Sequence, residues 1–182
     1  MRTDTVWSET SQQTCYRALL QAVARPATIQ RLEPGDQPAW MLVAATLLDG
    51  AVTLADPDHL LATEHWPFIG ATKVEPTEAA YIIADGSRPP HFTPQLGTLE
   101  QPHLGATILV VVAGLGDGPL CLDARGPGIA STQPLSVLGL DPGWISARNG
   151  WARRFPRGVD LLLADHLNVA ALPRTTRLEG GV

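Results

Sequence analysis

Apolar positions along the chain change their period several times, and each change marks an expected element. Tyr16, Leu19, Leu20 and Val23 recur at i, i+3, i+4 and i+7, which places them on one face of a helix. Thr10 or Ser11 is its expected cap, and Pro26 stops it near Ala24, because the residue before proline avoids the α region. Residues 29–32 read as a short strand closed by the turn Pro34-Gly35-Asp36. Residues 40–48 suit a buried helix ending at Asp49-Gly50, and 52–55 begin a strand that runs into Asp56-Pro57-Asp58.

Further on, residues 81–84 form another short apolar strand. Residues 85–103 carry four prolines, and so long a loop is expected to hold a short helical turn or to reach toward a partner. Residues 106–113, ATILVVVA, are β-branched or apolar at every position, the mark of a central strand covered on both faces. Leu120 and Leu122 alternate with smaller or polar residues and suggest a neighbouring strand after the turn Gly116-Asp117-Gly118. Asp141-Pro142 opens a helix on which Trp144, Ala147, Arg148 and Trp151 share a face. Residues 159–164 and 169–172 are two strands joined by 165–168. The sum is an α/β layered protein with a mixed sheet, one domain over residues 1–182.

Composition narrows the class. The chain is 45 % apolar and 17 % charged, as ordinary globular proteins are. A net charge of −5 argues against a nucleic-acid surface. Lys73 is the single lysine among the basic residues. The N-terminus lacks an apolar signal core, and the longest apolar stretch, 104–113, is about half of the roughly 20 residues a membrane span needs. The expectation is a cytoplasmic protein without membrane or nucleic-acid partners. Cys15 and Cys121 lie far apart and form no metal-binding pattern, while a disulfide between them is left open.

Most catalytic signatures fail. Gly114-Leu115-Gly116 follows the central strand, but Pro119 stands where a dinucleotide fingerprint needs its third glycine. No Walker A loop, HExxH or GxSxG is present. His59 and His65 near Asp56 and Asp58 are a weak metal candidate, and an acid/base pair of the two carboxylates competes with a plain solvated turn. Two segments keep functional readings. Gly126 and Gly128, in Arg125-Gly126-Pro127-Gly128-Ile129, admit backbone N–H groups close to an anion, or else make a strand-to-helix turn. Arg174 offers a donor fork beside the hydroxyls of Thr175 and Thr176, a set suited to phosphate or phosphonate oxygens. Equally, Arg174 pairs with a carboxylate such as Asp160 or with a partner's residue.

Several of these segments, in order, resemble the PhnH family of the bacterial carbon–phosphorus lyase system. Tyr16-Arg17-Ala18-Leu19-Leu20 with Ala22 and Pro26 is similar to the family's N-terminal helix. Gly97-Thr98, Pro102 and Gly105-Ala106-Thr107 resemble its approach to the central strand, and 126–129 its G-P-G-I. Asn149, Phe155-Pro156, Gly158-Val159-Asp160, 172–176 and Glu179 resemble its C-terminal signature. Between Asp56 and Gly70 the chain runs shorter than the family pattern, and Pro67-Phe68-Ile69-Gly70-Ala71 stands where the family has F-H-T-G-A.

The resemblance implies a three-layer αβα sandwich akin to the large domain of pyridoxal-phosphate-dependent aminotransferases, without the cofactor. It implies a homodimer working with the PhnG, PhnI and PhnJ subunits, which together make a ribose 1-phosphonate 5-triphosphate from ATP and an alkylphosphonate. Arg174, Thr175, Thr176, Arg17, Asp160, Gly126 and Gly128 become the candidates for anion binding or for an interface, with a phosphonate or nucleotide as ligand. No catalytic residue, metal or cofactor is assigned. Lys73 lies in a polar segment, whereas a Schiff-base lysine needs desolvation or a neighbouring cation.

Overall fold

The computed structural model describes residues 5–180, so the extreme ends of the expected domain, 1–4 and 181–182, lie outside the described residues. The centre of the molecule is a parallel set of strands. β2 (Thr53–Ala55), β4 (Tyr81–Asp85), β5 (Thr107–Val111) and β8 (Asp160–Ala164) lie side by side, with β3 (Thr72–Lys73) outside β2. Beyond β8 the sheet turns antiparallel through β9 (Asn168–Leu172) and β1 (Gln30–Arg31), giving seven strands in the order β1-β9-β8-β5-β4-β2-β3.

The continuous apolar runs have a direct reason. Side chains alternate across a strand, so a strand with no wet face must be apolar at both parities. Ile82, Ile108 and Leu161 are in register and feed one core, while Ile83, Leu109 and Leu162 feed the other. Each fully buried side chain of this kind contributes about 1.5–3 kcal/mol of transfer free energy.

One flank carries α1 (Glu9–Ala24), α2 (Ala39–Leu47) and the single-turn α3 (Trp66–Ile69), the first two tied together by Gln12 Nε2 donating to the Ala45 carbonyl at 2.9 Å. The other flank departs from a purely helical layer. It is built largely by a second, antiparallel sheet of β6 (Gly114–Arg125), β7 (Gln133–Leu138) and β10 (Arg177–Glu179), with α4 (Gly143–Trp151) sharing its core. Leu120, Leu122 and Ala124 of β6 are buried between exposed neighbours, so this sheet has one dry and one wet face. The strand holding Leu120 and Leu122 therefore pairs with β7 and β10 rather than with β5, and residues 116–118 form an irregularity inside it, not a turn between strands.

Helix α1 differs from its expectation in two respects. Ser8 caps it, accepting from the Ser11 N–H at 3.2 Å, so it starts before Thr10. Its packed residues are Cys15, Leu19 and Ala22, while Tyr16, Leu20 and Val23 are each about half exposed. The small side chains of Cys15 and Ala22 face inward, and the bulkier apolar stripe is left toward solvent. The proline-rich segment holds one short helical turn, Pro102–Leu104. Cys15 and Cys121 are both free, one buried and one exposed. Among the described residues no helix is long and apolar enough to cross a membrane.

Candidate functional site

The site grows from the end of β9, where Pro173 ends the strand and residues 174–176 turn the chain into β10. Arg174 meets Asp160, the first residue of β8. Its backbone N–H donates to Asp160 Oδ1 at 2.7 Å, its Nε lies 3.2 and 3.1 Å from the two carboxylate oxygens, and its Nη2 also donates to Oδ2. The remaining donors reach the carbonyls of Pro102 and Gly105. Only a glycine fits at 105, since a Cβ there would lie 2.2 Å from the Gly158 carbonyl and 2.7 Å from Arg174 Nη1. The two readings left open for Arg174 thus resolve toward the carboxylate: its fork is already filled.

A second arginine takes the position the sequence had offered to Arg174. Arg148, on α4, is 1 % exposed. Its Nη2 donates to the carbonyls of Pro173 at 2.6 Å and Thr176 at 2.7 Å, bracketing the turn that holds Arg174 and Thr175. Among the described residues it makes no ion pair, and its Nε has no hydrogen-bond partner. Desolvation pushes the guanidinium down to about 10, with the Asp160 charge acting in the opposite sense. Thr176 is buried beside it, and its Oγ1 is also unpartnered. Thr175 is exposed.

These groups line a cleft of ≈ 680 Å³ whose wall includes Arg148, Asn149, Arg174, Thr175, Thr176 and Arg177. That volume suits a small metabolite. Gly126 and Gly128 have a packing role. They turn β6 into β7, so no helix follows them, and a Cβ would lie 2.9 Å from the Thr175 carbonyl at Gly126 and 2.2 Å from the Ala24 carbonyl at Gly128. Their bareness lets the loop press on the 174–176 turn and on the end of α1. Arg17 lies on the exposed side of α1, and no hydrogen bond or ion pair is found for its side chain among the described residues.

On the other side of the Asp160–Arg174 pair lies a smaller, apolar groove of ≈ 310 Å³. Tyr16, Leu20 and Val23 of α1 border it with Leu47, Tyr81 and Leu162, and Asp160 stands in its wall.

The remaining candidates separate. Asp56 accepts from the Leu60 and Leu61 N–H groups, both at 2.9 Å, and Asp58 accepts from Asp85 N–H at 2.8 Å and pairs with Arg88. Both carboxylates brace loops, which leaves neither as a free acid or base. No group of three or more metal-ligating side chains forms among the described residues. Lys73 is exposed and lies over the Trp66 ring, 5.3 Å from its centroid. Trp7 stacks on Phe68 with centroids 5.3 Å apart.

A mixed α/β sheet, flanked by helices on one side and by a small sheet on the other, with an arginine-walled cleft at the β9–β10 turn, defines the class. The family model "Bacterial phosphonate metabolism protein (PhnH)" matches residues 4–179, and the chain belongs to the PhnH family. It is 42 % identical over 173 residues to HtxG of Stutzerimonas stutzeri, whose name describes a C-P lyase subunit protein, covering 95 % of this chain and 88 % of that one. It is 33 % identical over 185 residues to the alpha-D-ribose 1-methylphosphonate 5-triphosphate synthase subunit PhnH of Rhizobium meliloti (strain 1021), covering 92 % and 90 %.

Proposed function

We propose that this chain is a docking subunit of a carbon–phosphorus lyase core assembly in organophosphonate catabolism. In that role it supports formation of a ribose 1-alkylphosphonate 5-triphosphate from ATP and an alkylphosphonate. The observation that carries the reading is the match to two relatives over nearly the whole chain, one named a C-P lyase subunit protein and the other a subunit of the triphosphate synthase. The exposed stripe of Tyr16, Leu20 and Val23 beside the apolar groove supplies a surface suited to protein contact. We assign it to the homodimer, with PhnG, PhnI and PhnJ as the further partners in the cytoplasm. Co-purification from cells that express the neighbouring operon products tests the reading, and a chain that never associates with them would overturn it.

The likeness to the aminotransferase large domain belongs to the same proposal as a kinship of fold and not of chemistry. Lys73 is exposed, so nothing desolvates its amine for a Schiff base. Borohydride is expected to trap no pyridoxal phosphate on it. A second reading, a module that holds a phosphorylated metabolite, is favoured by one observation, the cleft beside Arg148 and Thr176.

A further inference from the structure

The cleft at the β9–β10 turn has a floor whose polar groups are not satisfied by the protein. Arg148 and Thr176 are 1 % and 2 % exposed, yet Arg148 Nε and Thr176 Oγ1 have no hydrogen-bond partner. Leaving a buried polar group unpaired costs about 1–3 kcal/mol, and more where the group is charged. Both residues line the cleft, and two such orphans are unusual, because buried polar atoms are nearly always paired. A buried guanidinium also wants a counter-charge, and Arg148 receives only carbonyl oxygens and a long contact to Asn149 Oδ1 at 3.4 Å. Asp160, whose charge acts on Arg148, is committed to Arg174.

We infer that Arg148 and Thr176 form an oxyanion subsite on the floor of this cleft, which takes the phosphate or phosphonate group of a small metabolite. The chemistry of the donors sets the ligand class. An oxyanion accepts from Nε, supplies the missing charge and accepts the threonine hydroxyl in one contact. Around the floor, Asn149 and the exposed Thr175 offer further polar contacts, and Arg177 adds positive charge at the rim. The one carboxylate in the wall, Glu179, is held 3.6 Å from Arg125. Arg148 is thereby both an anion ligand and the residue that positions the turn above it. The inference deepens the second reading given above, in which the cleft holds a phosphorylated metabolite, and it is independent of assembly with other subunits.

The test is titration of the full chain with methylphosphonate, inorganic phosphate and ATP, followed by calorimetry and by the ¹H–¹⁵N resonance of the Arg148 side-chain Nε. Saturable binding of at least one probe is expected, with that resonance moving. Comparing the three probes separates a phosphonate from a phosphate ester as the preferred source. Arg148→Lys keeps a charge but loses the fork and is expected to weaken binding about tenfold or more, the scale of one hydrogen bond to a charged group. Because Arg148 also holds the turn, Thr176→Val is the cleaner variant. It removes only an unpaired hydroxyl, so melting temperature should hold or rise while affinity falls. No saturable binding of any probe overturns the inference, as does binding that leaves both the Nε resonance and the Thr176→Val affinity unchanged. Co-purification of Thr176→Val with the lyase subunits is read alongside. An unmodified chain that co-purifies yet binds no anion sinks this subsite alone, and failure of the unmodified chain to co-purify sinks the docking role alone.

Discussion

Asp160 and Arg174 form a partition: the carboxylate stands in the wall of the apolar groove under α1, and the guanidinium stands in the wall of the polar cleft beyond it. One ion pair therefore fixes the boundary between the surface assigned to protein contact and the surface assigned to a ligand. It also joins the start of β8 to the turn after β9 and, through Arg174, to the carbonyls of Pro102 and Gly105.

Breaking this pair should cost stability in proportion to its partial burial. The side chains are 14 % and 31 % exposed, so Asp160→Asn is expected to lower unfolding free energy by about 1–3 kcal/mol, less than a fully buried pair would lose. Urea denaturation measures it. A loss no larger than that of an isolated surface pair would mean that the fork is held chiefly by the carbonyls.

The glycines give two predictions of opposite sign. Gly128 has φ of 83° and a Cβ would collide with the Ala24 carbonyl, so Gly128→Ala should cost several kcal/mol or prevent folding. Gly150 sits within α4 with nothing within 4 Å of an added Cβ, and Gly150→Ala should stabilise by about 0.5–1 kcal/mol. Melting temperatures of the two variants check both.

The two thiols should behave differently. Exposed Cys121 is expected to react readily with a disulfide reagent in the native protein, and buried Cys15 only after unfolding. Burial holds the Cys15 thiol above its ordinary value of 9.0, outweighing a hydrogen bond with Thr46 that acts in the opposite sense. The folded state thus retains the proton where the unfolded state releases it, and this contribution is intact below pH 9 and lost as pH rises beyond it. Denaturant midpoints at rising alkaline pH should fall less for Cys15→Ala than for the unmodified chain.

Replacing Leu20 by Glu places a charge in the middle of the half-exposed stripe of α1. Since the side chain is not part of the packed face, the monomer should keep its stability to within about 0.5 kcal/mol. Light scattering should nevertheless show loss of the proposed homodimer. A dimer that persists in Leu20→Glu would move the interface away from α1.

Much of the layered core was legible because its signals are local and redundant. The run 106–113 announced a strand covered on both faces, which forms over Thr107–Val111, and 159–172 announced a hairpin of apolar strands closed by Asp165, whose carboxylate accepts from the Leu167 and Asn168 N–H groups. The second sheet was harder to read. β7 carries Pro134 and Ser136, β10 is three residues long, and neither has enough alternation to announce itself. Helix α1 misled because periodicity reports which residues share a face but not which face the sheet covers; the larger apolar stripe, the usual inward one, is here the outward one.

The site divided in the same way. That Arg174 meets either a carboxylate or an anion could be posed from its neighbours, but the choice depends on Asp160, 14 positions away. Arg148 was visible only as a charge sharing a helical face with Trp144. That juxtaposition was the available signal, since a cation within an apolar stripe must end up either exposed or buried against specific partners. Its carbonyl partners are 25 and 28 residues distant, beyond what local pattern can register.

Affinity purification of the tagged chain from cells expressing the neighbouring operon products decides whether it works as a subunit of the assembly. The chain is expected to recover the other carbon–phosphorus lyase subunits in a fixed ratio through gel filtration. Recovery of the folded chain alone, with those subunits present and soluble, would contradict it.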